Sequence, residues 1–341
     1  MRILLLLLLL FPASLMAQGD HAQQCDSVAN VPLPQEAEVP KPGVFPACEA
    51  YKSYAGIGRA VDYTAARSCA WKERAAQQIN LSQNQKAPTA WAIGGDLILV
   101  DLYANGLGVP RNLPLALHLA CEDGTGIAAD AITDLDKFAK TAPPSPKRFE
   151  VCDFANSTFS MNFCGDYQSE ITEERRNRAF RRILAQWTPE QKTAFAKLKA
   201  AEEKYVETHT SELDQGGTIH TIRDLGSMEI MHNNFLLDLR QFEKGNLPKD
   251  TNAPAAESRM TKQYQTNLAA ARLPLPKLGA NTAVTQDDVI EVQATWEHYR
   301  DAWLAFTSIR YPSVPAMAFR AYFADERYRL LSAMRSQIYR D

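Results

Sequence analysis

Thr285-Gln-Asp-Asp288-Val289-Ile-Glu-Val292-Gln-Ala-Thr-Trp296-Glu-His-Tyr299-Arg300-Asp301-Ala302-Trp303-Leu-Ala-Phe306 decides the fold class. Its apolar residues Val289, Val292, Trp296, Tyr299, Trp303 and Phe306 recur at spacings of 3, 4, 3, 4 and 3, an unbroken stripe along one α-helix. Thr285, with Asp288 three residues on, marks where that helix begins. The same design occurs earlier. Thr188-Pro189-Glu190-Gln191 is a capping box with proline at the first helical position, and Phe195, Leu198 and Tyr205 stand 94 residues before Val289, Val292 and Tyr299. Phe180 and Leu184 answer Tyr264 and Leu268 at 84, so a long helical hairpin is duplicated, with ten more residues between the helices of the second copy.

Upstream, a second duplication runs at fifty residues: Gly58, Asp62 and Ala66 answer Gly108, Asn112 and Ala116. Each unit reads as helix, glycine turn, helix. Glycine accepts the positive φ at which a helix stops, Asp62 or Asn112 caps the next helix, and alanine lets the two approach. Leu102-Tyr103-Ala104-Asn105-Gly106-Leu107-Gly108-Val109, followed by Ala116, resembles a Sel-one-like repeat of the tetratricopeptide-related solenoids over about residues 47–123. Two units are few for a solenoid, so disulfides and a neighbouring domain are expected to help bury its faces.

Composition divides the remainder. Arg2, the apolar run Ile3 to Phe11 and Leu15-Met16-Ala17 read as a secretory signal over residues 1–17, with an apolar run too short for the ~20 residues of a bilayer span. Five prolines between Val31 and Pro46 make residues 18–46 an extended leader. Proline-rich breaks at 142–146 and 246–258 leave helical segments 47–141, 148–245 and 255–341. The expected protein is all-α, a short Sel-one-like solenoid followed by two helical hairpin units, located in the periplasm or outside the cell. Six cysteines follow the signal: Cys25, Cys48, Cys69, Cys121, Cys152 and Cys164. An even number in an oxidising compartment reads as three disulfides. Cys152–Cys164 is the expected short loop. Cys25–Cys48 and Cys69–Cys121 are favoured for the other four because they link adjacent elements, with Cys48–Cys69 close behind.

Cys152-Asp153, Met161-Asn162-Phe163-Cys164, Arg176-Asn177 and Phe180 resemble the opening of an LprI-type lysozyme-inhibitor domain. Gln293 to Ala302, with Arg327 and Leu331, is similar to that family's second-helix and closing motifs. The first copy keeps the cysteines and Gly216-Gly217 but has Glu202, Val206 and Phe235 in place of the tryptophan, the arginine and the closing arginine. The second keeps those residues, lacks cysteines and has Pro312 where glycines belong. Over about residues 150–341, the resemblance implies a helical protein whose partner is a lysozyme or another envelope protein. It points to Trp296, Tyr299, Arg300, Asp301 and Arg327 as binding residues. An exposed Arg300 or Arg327 would suit a glycosidase cleft that holds two carboxylates. The helix itself offers a structural reading instead, with Trp296 and Tyr299 in the core and Arg300 paired with a carboxylate or carbonyl.

Net charge is -3, which lacks the basic excess that nucleic-acid binding requires. Residues 18–147 and 148–254 carry -3 each and residues 255–341 carry +2, so an acidic face for a basic partner lies in the first two segments. Gly124-Thr-Gly126-Ile-Ala-Ala129 matches a nucleotide-binding pattern in letters, but a helix-like segment precedes it where a strand is required. The histidines show no paired spacing, and no nucleophile or metal motif occurs. The expectation is a binding protein with no enzymatic activity, cofactor or metal. The alternative is a periplasmic scaffold that holds partners on its Sel-one-like hairpins.

Overall fold

In the computed structural model, residues 14–37, 48–82, 95–140, 148–213, 220–271 and 284–338 are described. Residues 1–13 of the expected signal, 38–47 of the leader and Gly216-Gly217 lie outside them. The described residues form twelve α-helices and no strand, so the protein is all-α. They belong to two compact units that divide after Ile171.

The first unit holds α1 (Ser14–Val28), α2 (Ala50–Ala55), α3 (Tyr63–Ser82), α4 (Asp96–Asn105), α5 (Leu113–Asp123), α6 (Gly126–Lys140) and the start of α7 (Thr158–Leu184). The fifty-residue repeat is written in its hydrogen bonds. Ile57 N to Lys52 O and Asp62 N to Ser53 O, both 2.9 Å, recur as Leu107 N to Leu102 O at 3.0 Å and Asn112 N to Tyr103 O at 2.9 Å. Gly56 and Gly106 end α2 and α4 at φ of 73° and 69°, a conformation that other residues adopt only under strain. Asp62 and Asn112 then accept from the amides of Ala65 and Leu115. Glu73, buried on α3, accepts from Ala50 N at 3.0 Å and Gly95 N at 2.8 Å, serving the N-termini of α2 and α4 together. Fifty residues on, Asp123 serves the start of α6 through Thr125 N.

The expected extended leader is corrected over residues 18–28, which are helical. The prolines begin only at Pro32, and α1 buries Val28 against the unit's core. The favoured disulfide pairing is also corrected. Cys25 joins Cys121 and Cys48 joins Cys69, because α1 packs on α5 and α6 while Cys48 enters α2 beside α3. Cys152–Cys164 forms as expected.

Residues 148–171 fold with the first unit, not with a separate segment beginning at 148. Residues 148–154 cross α4 as a bound peptide would. Phe149 N donates to Asn105 Oδ1 at 2.8 Å, Asn105 Nδ2 returns a bond to Phe149 O at 2.7 Å, and Val151 N donates to Asp101 Oδ1 at 2.9 Å. Phe149 is buried against Phe138 and Phe154. With this segment in place, α4 is buried from Asp96 to Ala104.

The second unit holds the remainder of α7 with α8 (Pro189–His209), α9 (His220–Glu243), α10 (Ala253–Ala270), α11 (Gln286–Arg310) and α12 (Ala316–Ile338). Both capping boxes form, Thr188 with Gln191 and Thr285 with Asp288. Each copy of the duplicated hairpin contains a third helix, α9 or α12. Trp187, just before α8, and Phe195 in its second turn meet Phe306 near the end of α11, so α8 and α11 are antiparallel. Tyr205 stacks on its own repeat mate, Tyr299, at 5.3 Å. A residue that touches its mate lies on the local two-fold axis relating the copies.

Candidate functional site

The axis residues line a cleft of about 80 Å³ between α9 and α12. Phe235 and Asp238 come from α9, Phe323 and Glu326 from α12, and Trp296 and Tyr299 from the α11 stripe. The helix period explains the grouping: Phe235 and Asp238 are three apart, as are Phe323 and Glu326, so each helix presents an aromatic ring and a carboxylate on one side. Asp238 Oδ1 accepts from the Tyr322 hydroxyl at 2.5 Å. Burial, together with the nearby Glu326 charge, pushes the Asp238 carboxyl up to about 7 against the effect of that hydrogen bond.

Beneath the cleft lies a buried ion pair. Arg327 Nη2 and Nη1 donate to Glu212 Oε1 and Oε2 at 2.8 and 3.0 Å, Nη1 also to the Tyr205 hydroxyl at 3.2 Å, and Nε to Gln293 Oε1 at 3.3 Å. Burial works against the Glu212 charge, but Arg327 and a hydrogen bond from His209 outweigh it and hold the carboxyl below its ordinary range. Across the axis, Phe235 stands where Arg327 does. It meets Tyr299, Trp303 and the Lys199 ammonium, the mates of Tyr205, His209 and Gln293. One side of the axis is therefore ionic and the other aromatic.

The five residues singled out from the sequence divide three ways. Trp296, Tyr299 and Arg327 line the cleft. Trp296 is 2% exposed and Arg327 1%, which corrects the expectation of an arginine projecting from this position. Arg300 is partly covered, its guanidinium 5.2 Å from the Trp296 ring and bonded to Asp301 Oδ1 at 2.9 and 2.8 Å. Asp301, two residues and so about 200° around the helix from Tyr299, faces a different groove of about 570 Å³, shared with His298 and Lys197. Asp238, Glu326, Phe323 and Glu212 were not found from the sequence. A carboxylate three residues from Phe235 on a stripe continued by Leu239 and Phe242 was the available signal for Asp238.

The glycine pattern at 124–129 is a turn between two helices: Gly124 ends α5 at φ 64° and Gly126 opens α6. Among the described residues, no group of three or more His, Cys, Asp or Glu is placed to hold a metal ion, and no helix is long and apolar enough to cross a membrane. No protein-family model, curated protein or solved structure matches this chain.

Proposed function

We propose that the chain is a secreted or periplasmic binding protein of the bacterial envelope, inhibiting a lysozyme by direct, stoichiometric association and without turnover. The observation that carries this reading is the closure of all six cysteines into three disulfides, which suits an oxidising compartment. One of these bridges, Cys152–Cys164, belongs to the motif that resembles the LprI-type opening. Because Arg327 is spent on Glu212, the association uses a surface rather than an inserted Arg327. The scaffold alternative has less support, since α4, in the second of the Sel-one-like hairpins, is already occupied by residues 148–154.

The test is lysis of peptidoglycan-rich cells by chicken-type, invertebrate-type and goose-type lysozymes, with and without the oxidised mature protein. Inhibition that titrates to a fixed ratio with one of them is expected. Unchanged lysis by all three in excess protein overturns the reading.

A further inference from the structure

The α9/α12 cleft carries a chemistry that selects its ligand. At about 80 Å³, it has roughly half the ~150 Å³ that accommodates benzene, so it takes the end of one side chain and not a ring. Phe235 and Phe323, with ring centroids 6.4 and 6.5 Å from that of Tyr299, give it aromatic walls. Arg327 is the cation in its lining, and four of its five N–H donors are taken by Glu212, Tyr205 and Gln293, so its charge is already matched by a carboxylate. Two carboxylates remain. Asp238 takes the Tyr322 hydroxyl on Oδ1, and no described residue donates to its Oδ2. Among the described residues, Glu326 pairs with Arg329, a well-exposed side chain on its own helix whose charge also reaches Asp238 and which a bound cation would displace toward solvent.

Aromatic walls and two carboxylates favour a cation. A linear ammonium on a methylene stem fits the narrow volume better than a planar guanidinium. We infer that the cleft binds a lysine side chain of a protein partner, its ammonium between Asp238 and Glu326 and its methylenes against Phe235, Tyr299 and Phe323. This goes beyond the lysozyme reading and holds whichever basic protein the partner is.

The test uses the full mature chain with methyl-labelled methionine, because Met231 also lines the cleft and reports on it directly. Its resonance, assigned with Met231→Leu, is followed during titration with Nα-acetyl-lysine amide and with the neutral Nα-acetyl-norleucine amide. A saturable shift with a Kd on the order of 1 mM is expected for the lysine derivative, weakened roughly tenfold for norleucine and in Asp238→Asn. Tyr322 can still donate to the asparagine, so that variant keeps its hydrogen bond. Glu326→Gln, at the partly exposed mouth, is the second variant and is expected to weaken binding in the same direction. No saturable shift, equal binding of norleucine, or undiminished affinity in both folded variants overturns the inference. If the lysine derivative binds while no lysozyme is inhibited, the cleft stands and the proposed target falls.

Discussion

Arg327 and Glu212 are 115 positions apart in the chain yet share a fully buried, two-pronged ion pair. Removing one partner leaves an uncompensated charge in the interior, whereas removing both leaves only a packing problem. Arg327→Met is therefore expected to cost about 3 to 5 kcal/mol, and Arg327→Met with Glu212→Leu to recover most of it, as read by urea unfolding. Equal losses in the single and double variants would mean that packing, not charge, sets the cost. Asp238 gives the opposite kind of signal. Its carboxyl is raised from 3.8 to about 7 by burial, so its contribution to stability is complete below the unfolded value and is lost as pH rises through 7. Between pH 5 and 8 the protein should lose about 2 to 3 kcal/mol through this group, and Asp238→Asn should remove that part of the slope. Asp96, paired with Arg74 in the first unit and also raised to about 7 mainly by burial, contributes its own slope and stays in place in both proteins.

Glu73 works at the level of elements because two helices depend on it. Glu73→Ala frees the amides of Ala50 and Gly95, each a lost N-terminal partner worth about 0.5 to 2 kcal/mol. Amide exchange at both positions should quicken together, and acceleration at only one would show that the helices are capped independently. Much at this scale was legible in the sequence. Thr188 and Thr285 announce their helices, and Gly56 and Gly106 end theirs, because caps and turns are settled by residues within a few positions. What was not legible depends on distant partners. Nothing near Cys25 reveals that α1 lies on α5, which brings it to Cys121 across 96 residues. Likewise Arg327 looks like a projecting arginine until Glu212, with Tyr205 beside it, is found opposite. The main-chain clamp of Asn105 on Phe149 was equally hidden, since an asparagine in a repeat motif gives no hint of the segment, some forty residues on, that it holds.

For the whole molecule, the proposed association with a basic enzyme has an electrostatic signature. The two acidic segments carry -3 each, and their pull on a basic partner shortens with the Debye length, from about 8 Å at physiological salt to about 3 Å at 1 M. The association rate should fall roughly tenfold over that range while dissociation changes little, which stopped-flow binding would resolve. Arg300→Ala should leave inhibition intact, because that guanidinium is already paired with Asp301. A flat salt profile would move the contact to an uncharged face. The Tyr205–Tyr299 axis has a wider consequence. Two identical subunits meeting on a two-fold must place the same residue at both symmetry-related positions. Arginine at both would require two buried counter-ions, and phenylalanine at both would forgo the ionic lock. By carrying both copies in one polypeptide, the chain escapes that obligation: Arg327 and Phe235 answer each other across the axis as unlike partners. Neither half then has a sister to fall back on, and the copies have become as interdependent as the chains of an obligate heterodimer.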